Sequence, residues 1–156
     1  MMNRKMAFLF LIALVVFGCS QETNLQKIME TDHKVISFLT EMNPALQQKF
    51  DKITAEIVRA DEKIQQLHEL NKFFPKQSDI INKALQQWQG LRKDLYATLK
   101  NIYSKVEGAY VAYRIDEIQG RKQFGDLSQN LLAEANAVLA NAEITKNTIE
   151  EELSQE

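Results

Sequence analysis

Cysteine, histidine, proline and glycine are all scarce in this sequence. Its 156 residues include one cysteine, two histidines, two prolines and five glycines. A single cysteine cannot close an internal disulfide, and with two histidines it cannot complete a Cys/His zinc site. The shortage of proline and glycine, together with 45% hydrophobic content, excludes a disordered chain. Positive charge is not in excess either: the formal net charge is −2, so a nucleic-acid binder that must neutralise phosphates is not expected. No stretch shows sustained β-branched alternation, and no internal repeat of about 20–50 residues is visible. The length suits one domain.

One long apolar run stands apart. Arg4 and Lys5 precede Met6–Phe17, twelve residues without a polar side chain. A positive leader followed by such a run reads as a secretory signal. As a helix the run spans only ~18 Å against a hydrocarbon core of ~30 Å, too short for a comfortable transmembrane anchor. Immediately after it comes Val16-Phe17-Gly18-Cys19-Ser20, which resembles the lipobox of bacterial lipoproteins. Val16 and Phe17 stand where Leu and a small residue are commonest in that family. The resemblance implies that signal peptidase II removes residues 1–18, that Cys19 is lipidated, and that two or three acyl chains hold the protein on a membrane without spanning it. With Ser20 rather than Asp after the cysteine, it further implies the periplasmic leaflet of the outer membrane in a Gram-negative cell. In a Gram-positive cell the protein would sit on the outer face of the only membrane. The expected organisation is a signal peptide at 1–18, a lipidated N-terminus and short polar spacer at 19–23, and a helical domain at 24–156.

From Leu25 onward apolar residues recur at alternating steps of three and four, the mark of helices buried along one stripe. Positions 25, 28, 32, 35, 39 and 42 are apolar except Asp32; positions 46, 50, 53, 57, 60, 64, 67, 71 and 74 are apolar except Asn71. Between them Asn43-Pro44 supplies an N-cap and a first-turn proline. Phe74-Pro75-Lys76-Gln77-Ser78 reads as a tight turn, with Ser78 expected as the next cap. A third stripe at 81, 85, 88, 92, 95, 99, 102, 106, 109 and 113, broken only by Arg92, predicts a helix from Asp79 to about Gln119, with a kink or break expected at Gly108. Gly120–Gly125 reads as a connection, and Asp126 or Ser128 as the cap of a last, alanine-rich helix striped at 132, 135, 139, 142, 146, 149 and 153, where Lys146 is the exception. The fold class expected is all-α: an up-and-down four-helix bundle with a long central antiparallel hairpin, or, second, an elongated coiled-coil hairpin. Stripes this regular also accommodate a homo-oligomer.

Little in the sequence points to chemistry. Glu30-x-x-His33 has the spacing used by di-iron bundles, but those need the motif twice, and His68 has Gln65 where the second carboxylate belongs. No metal site is expected. With no Cys-x-x-Cys-His there is no haem attachment, and no cofactor is expected. No Gly-x-Ser-x-Gly elbow or phosphate loop is present. Adjacent carboxylates such as Asp61-Glu62 and Asp116-Glu117 point about 100° apart on a helix, so the chain is not expected to be an enzyme.

Candidate contact residues are aromatic. Tyr96, Tyr103 and Tyr110 recur every seven residues, with Tyr113 and Trp88 near the same flank. They either roof the core or dock a partner. Phe73 and Phe74 beside the turn either plug the core or form an exposed tip. Residues 126–156 hold one basic side chain, Lys146, against seven acidic ones, and Glu150-Glu151-Glu152 at a helix C-terminus predicts a fraying, solvated end. Together these features suggest a non-enzymatic adaptor, scaffold or accessory subunit of the cell envelope, anchored through Cys19 and meeting an envelope protein. The alternative is a helical binding module, either a small-ligand carrier or a holdase-like chaperone.

Overall fold

The computed structural model describes residues 33–154. The expected signal peptide, Cys19 and its spacer, Glu30 and the first half of the first stripe lie outside the described residues. Four helices follow one another: α1 His33–Met42, α2 Pro44–Phe73, α3 Ser78–Ile115 and α4 Glu117–Ser154, with a single 3-10 turn, Pro75–Gln77, between α2 and α3. No strand occurs among the described residues. The protein is an all-α helical bundle, as the stripes predict.

Each link has a local cause. At Asn43 the backbone leaves the helical region (φ −152°, ψ 84°), and the Asn43 side chain accepts a hydrogen bond from the Leu46 N–H at 3.0 Å. Pro44 begins α2, where its missing N–H costs nothing. Pro75 stops α2 and opens the 3-10 turn. Ser78 does not cap α3; it is that helix's first residue, and the preceding Gln77 makes no side-chain cap.

The third link differs from expectation. Helix α3 runs unbroken through Gly90 and Gly108 and ends at Ile115, while Gly120–Gly125 lies inside α4. The connection is one residue, Asp116, in an extended conformation (φ −142°, ψ 106°). Its carboxylate accepts from the Gln119 N–H at 3.1 Å, so Asp116, rather than Asp126 or Ser128, starts the last helix. A one-residue link forces close approach of the two helices. Gly120 permits it, since a Cβ there would overlap the Tyr113 backbone.

Helices α2 and α3 run antiparallel, as do α3 and α4, and α3 packs more extensively against each of them than they do against one another. At ~1.5 Å per residue, α2 is ~45 Å long and α3 and α4 are ~57 Å each. The core is the predicted stripe: Leu46, Phe50, Ile53, Ile57, Ala60, Ile64 and Leu67 of α2 face Ile81, Leu85, Trp88, Leu95, Leu99, Ile102, Val106 and Ala109 of α3. In α4 the buried face is Gly120, Phe124, Ser128, Leu131, Ala135, Ala142, Lys146 and Ile149. Helix α1 sits at the end formed by the α3–α4 turn. There the Phe38 ring meets Tyr110 at 5.6 Å, Tyr113 at 5.1 Å and Phe124 at 5.2 Å between centroids.

Candidate interaction surfaces

The polar exceptions in the three long stripes are where the helices are pinned to one another. Asn71 Nδ2 donates to Asn82 Oδ1 at 3.0 Å, joining α2 to α3. Arg92 Nη1 pairs with Asp61 Oδ1 at 2.7 Å, again α3 to α2. Lys146, with 8% of its surface exposed, reaches Glu56 of α2 at 3.1 Å and Glu143 of its own helix at 2.7 Å. Burial pushes the Lys146 ammonium down, but its hydrogen bonds to Glu143 and Glu56 outweigh this, and its pKa lies above the ordinary lysine value. The hydrogen bond from Lys146 holds the Glu143 carboxyl below the usual carboxylate range. Elsewhere Asn101 of α3 donates to Glu134 of α4 at 2.6 Å. These contacts account for most of the charged groups that approach the core, and they serve assembly.

The acidic end does not stand apart in solvent. Helix α4 continues to Ser154, and Glu152 accepts from Lys83 Nζ at 2.8 Å and from Gln87 Nε2 at 3.3 Å. The bond from Lys83 lowers the Glu152 pKa, with burial opposing and Gln87 adding to it.

Neither histidine enters a constellation. His33 and His68 are both exposed, and no cluster of three or more His, Cys, Asp or Glu that could hold a metal ion occurs among the described residues. Of the adjacent carboxylate pairs, Asp61 bonds Arg92, Asp116 caps α4, and Glu117 pairs with Arg121 at 3.1 Å.

The aromatic candidates divide. Tyr96, Tyr103, Tyr110 and Tyr113 are all half-buried. Tyr110 and Tyr113 spend a ring on Phe38, and the Arg121 guanidinium lies 5.4 Å from the Tyr113 ring centroid. Trp88 is fully within the core. Phe73 and Phe74 do not plug the core: they are 73% and 51% exposed, and Leu70 one turn before them is also exposed. The reason is geometric. The α2 stripe reaches its last buried residue at Leu67, and α3 begins only at Ser78, so nothing packs over the turn between them.

The opposite end carries a second apolar tip that the sequence reading did not single out. Ile115 and Ile118, on either side of Asp116, are each 83% exposed, and Val111 one turn earlier is 53% exposed. The signal was hidden because the turn itself was expected at residues 120–125. No described helix is long and apolar enough to cross a membrane. No protein-family model matches this chain, nor does any curated protein or solved structure.

Proposed function

We propose that this chain is a lipid-anchored, non-enzymatic adaptor or accessory subunit of the bacterial cell envelope. In this reading Cys19 carries the lipid, and the bundle presents Phe73 and Phe74 to a protein partner. The observation that carries it is the pair of phenylalanines left in solvent at the α2–α3 turn. Two adjacent exposed aromatics at a tip are expensive to leave unburied and are the residue type that anchors protein interfaces. The lipobox-like sequence ending at Cys19 supports the anchoring half of the reading, and the commitment of the bundle's interior polar groups to helix–helix contacts supports a non-enzymatic role.

The test places a photo-crosslinking amino acid at the exposed Gln77, beside the tip, in living cells. A discrete adduct is expected, and Phe73→Ser/Phe74→Ser should abolish it while leaving thermal unfolding of the purified protein unchanged. An adduct indifferent to that double substitution, or none at all, would overturn the reading. Cys19→Ser should move the protein from the membrane to the soluble fraction and weaken the adduct.

A further inference from the structure

We propose that α1 is a strap that occludes a binding socket. It pivots at Asn43 and uncovers Tyr110, Tyr113 and Phe124, which then receive an amphipathic helix of a partner protein carrying an aromatic anchor and a carboxylate. The inference stands apart from the Cys19 anchor and from the Phe73–Phe74 tip.

The socket is built without α1. Its rings belong to α3 and α4. Those helices are fixed to one another here by the one-residue link at Asp116, by the Asp116 cap on Gln119 and by the close approach of Gly120 to the Tyr113 backbone. None of these contacts involves α1, so the surface it vacates is preformed.

Helix α1 is separable at its junction. Asn43 is the one non-helical residue between α1 and α2, Pro44 has no N–H to bond back into α1, and the Asn43 side chain serves α2 through Leu46. Helix α2 therefore keeps its start when α1 departs. At ten residues α1 is shorter than the ~12–15 at which an isolated helix is marginal in water, so its seat is what orders it. It buries Val35, Phe38 and Leu39, a gain set against the conformational freedom of every residue it orders. Its polar contacts to the bundle, from Arg121 to Glu41 and to Met42 Sδ, both at 3.3 Å, are exposed. A segment balanced in this way opens at less than the global unfolding free energy.

The seated helix states what else fits. A partner helix needs apolar residues where Val35 and Leu39 stand, a ring where Phe38 stands and a carboxylate where Glu41 stands. The carboxylate has a receptor, because Arg121 is also held by Glu117 at 3.1 Å and lies over the Tyr113 ring, and so keeps its place when Glu41 leaves. Residues 110–124 then hold Arg114, Arg121 and Lys122 against Asp116 and Glu117, which leaves the open end with an excess of positive charge.

Two measurements on the purified protein test this. Hydrogen exchange in rising urea reads the strap: amides of 37–42 should exchange on the order of 100-fold faster than those of Ile53 and Ile57, with a smaller urea slope. Equal rates and slopes would mean that α1 leaves only on global unfolding, and unprotected α1 amides would mean that it is never seated; either overturns the proposal. Fluorescence anisotropy reads the socket, with a fluorescein-labelled synthetic peptide of residues 33–43 as the probe. Phe38→Ser, which empties the seat, should bind the peptide roughly tenfold more tightly than the unsubstituted chain, whose own strap competes. Arg121→Gln added to Phe38→Ser should weaken binding several-fold and leave the affinity for a Glu41→Gln peptide unchanged. No saturable binding, or equal binding of a peptide carrying Phe38→Ser, would overturn the proposal. So would a Phe38→Ser chain that loses the helicity of the whole bundle, since α1 would then be inseparable from it. A dimer of the unsubstituted chain that Phe38→Ser abolishes would make the occupant a second copy and overturn the assignment to a partner protein.

Discussion

Lys146 occupies a stripe position that a leucine would fill without electrostatic cost. Its ammonium is buried between α2 and α4 and is compensated by Glu56 and Glu143. Removing one member of such a group is worse than removing the group, because it strands a poorly solvated charge. Lys146→Met should therefore lower stability by about 1–2 kcal/mol, less than a fully buried pair would lose, since Glu56 keeps some solvent. Adding Glu56→Leu should restore the loss or exceed it, and urea unfolding midpoints measure both. The pH dependence follows from the same contacts. Glu143 and Glu152 have folded-state pKa values below the ordinary range, so the stability they contribute is present above that range and is lost as pH falls through their lowered values. Lys146 is raised, so its contribution is present below the ordinary lysine value and disappears as pH climbs through its folded value. Unfolding midpoints should decline on both limbs, and Glu152→Gln should flatten the acid limb.

At the scale of the element, glycines of one kind to the eye have opposite roles. Gly108 lies mid-helix in α3 with no atom within 4 Å of where a Cβ would stand. Gly108→Ala should stabilise the protein by about 0.5–1 kcal/mol, the entropic cost of glycine in a helix. Gly120 sits against the Tyr113 backbone, where a methyl group has no room. Gly120→Ala should cost about 1–3 kcal/mol and open the α3–α4 end. Asn43→Ala should lose about 1 kcal/mol with its cap to Leu46. Thermal unfolding of the three variants, in those directions, checks the first and third links and the continuity of α3 through Gly108. The two links built by proline were legible in the sequence because proline acts through its own chain. The third was not, because Gly120 and Gly125 look like loop punctuation, whereas Gly120 is a contact residue of a helix. The start of the α4 stripe is Gly120, Phe124, Ser128 and Leu131, and two of its first three members carry no apolar signal.

Across the whole molecule, two apolar tips lie at opposite ends of α3: Phe73–Phe74 with Leu70 at one turn, Ile115–Ile118 with Val111 at the other. Both remain in solvent because turns end the stripes before a neighbouring helix can cover them. Neither tip is needed for folding, so Phe73→Ser/Phe74→Ser and Ile115→Ser/Ile118→Ser should each leave the unfolding midpoint unchanged, which for the phenylalanines separates effects on binding from effects on stability. The sequence by itself determined the all-α class, the stripes of α2 and α3 and the breaks at Asn43 and Pro75, since each of these depends on residues within a few positions of one another. It also carries the lipobox resemblance at Cys19. Only the tertiary structure decided that Asp116 is the third link and that Asn71, Arg92 and Lys146 are cross-helix fasteners. It alone decided, too, that Glu152 is tied down and which aromatics reach solvent. Apart from the Asp116 cap, which Gln119 completes three residues on, each of those depends on what another helix does or does not bring opposite, and spacing along one helix does not reveal that.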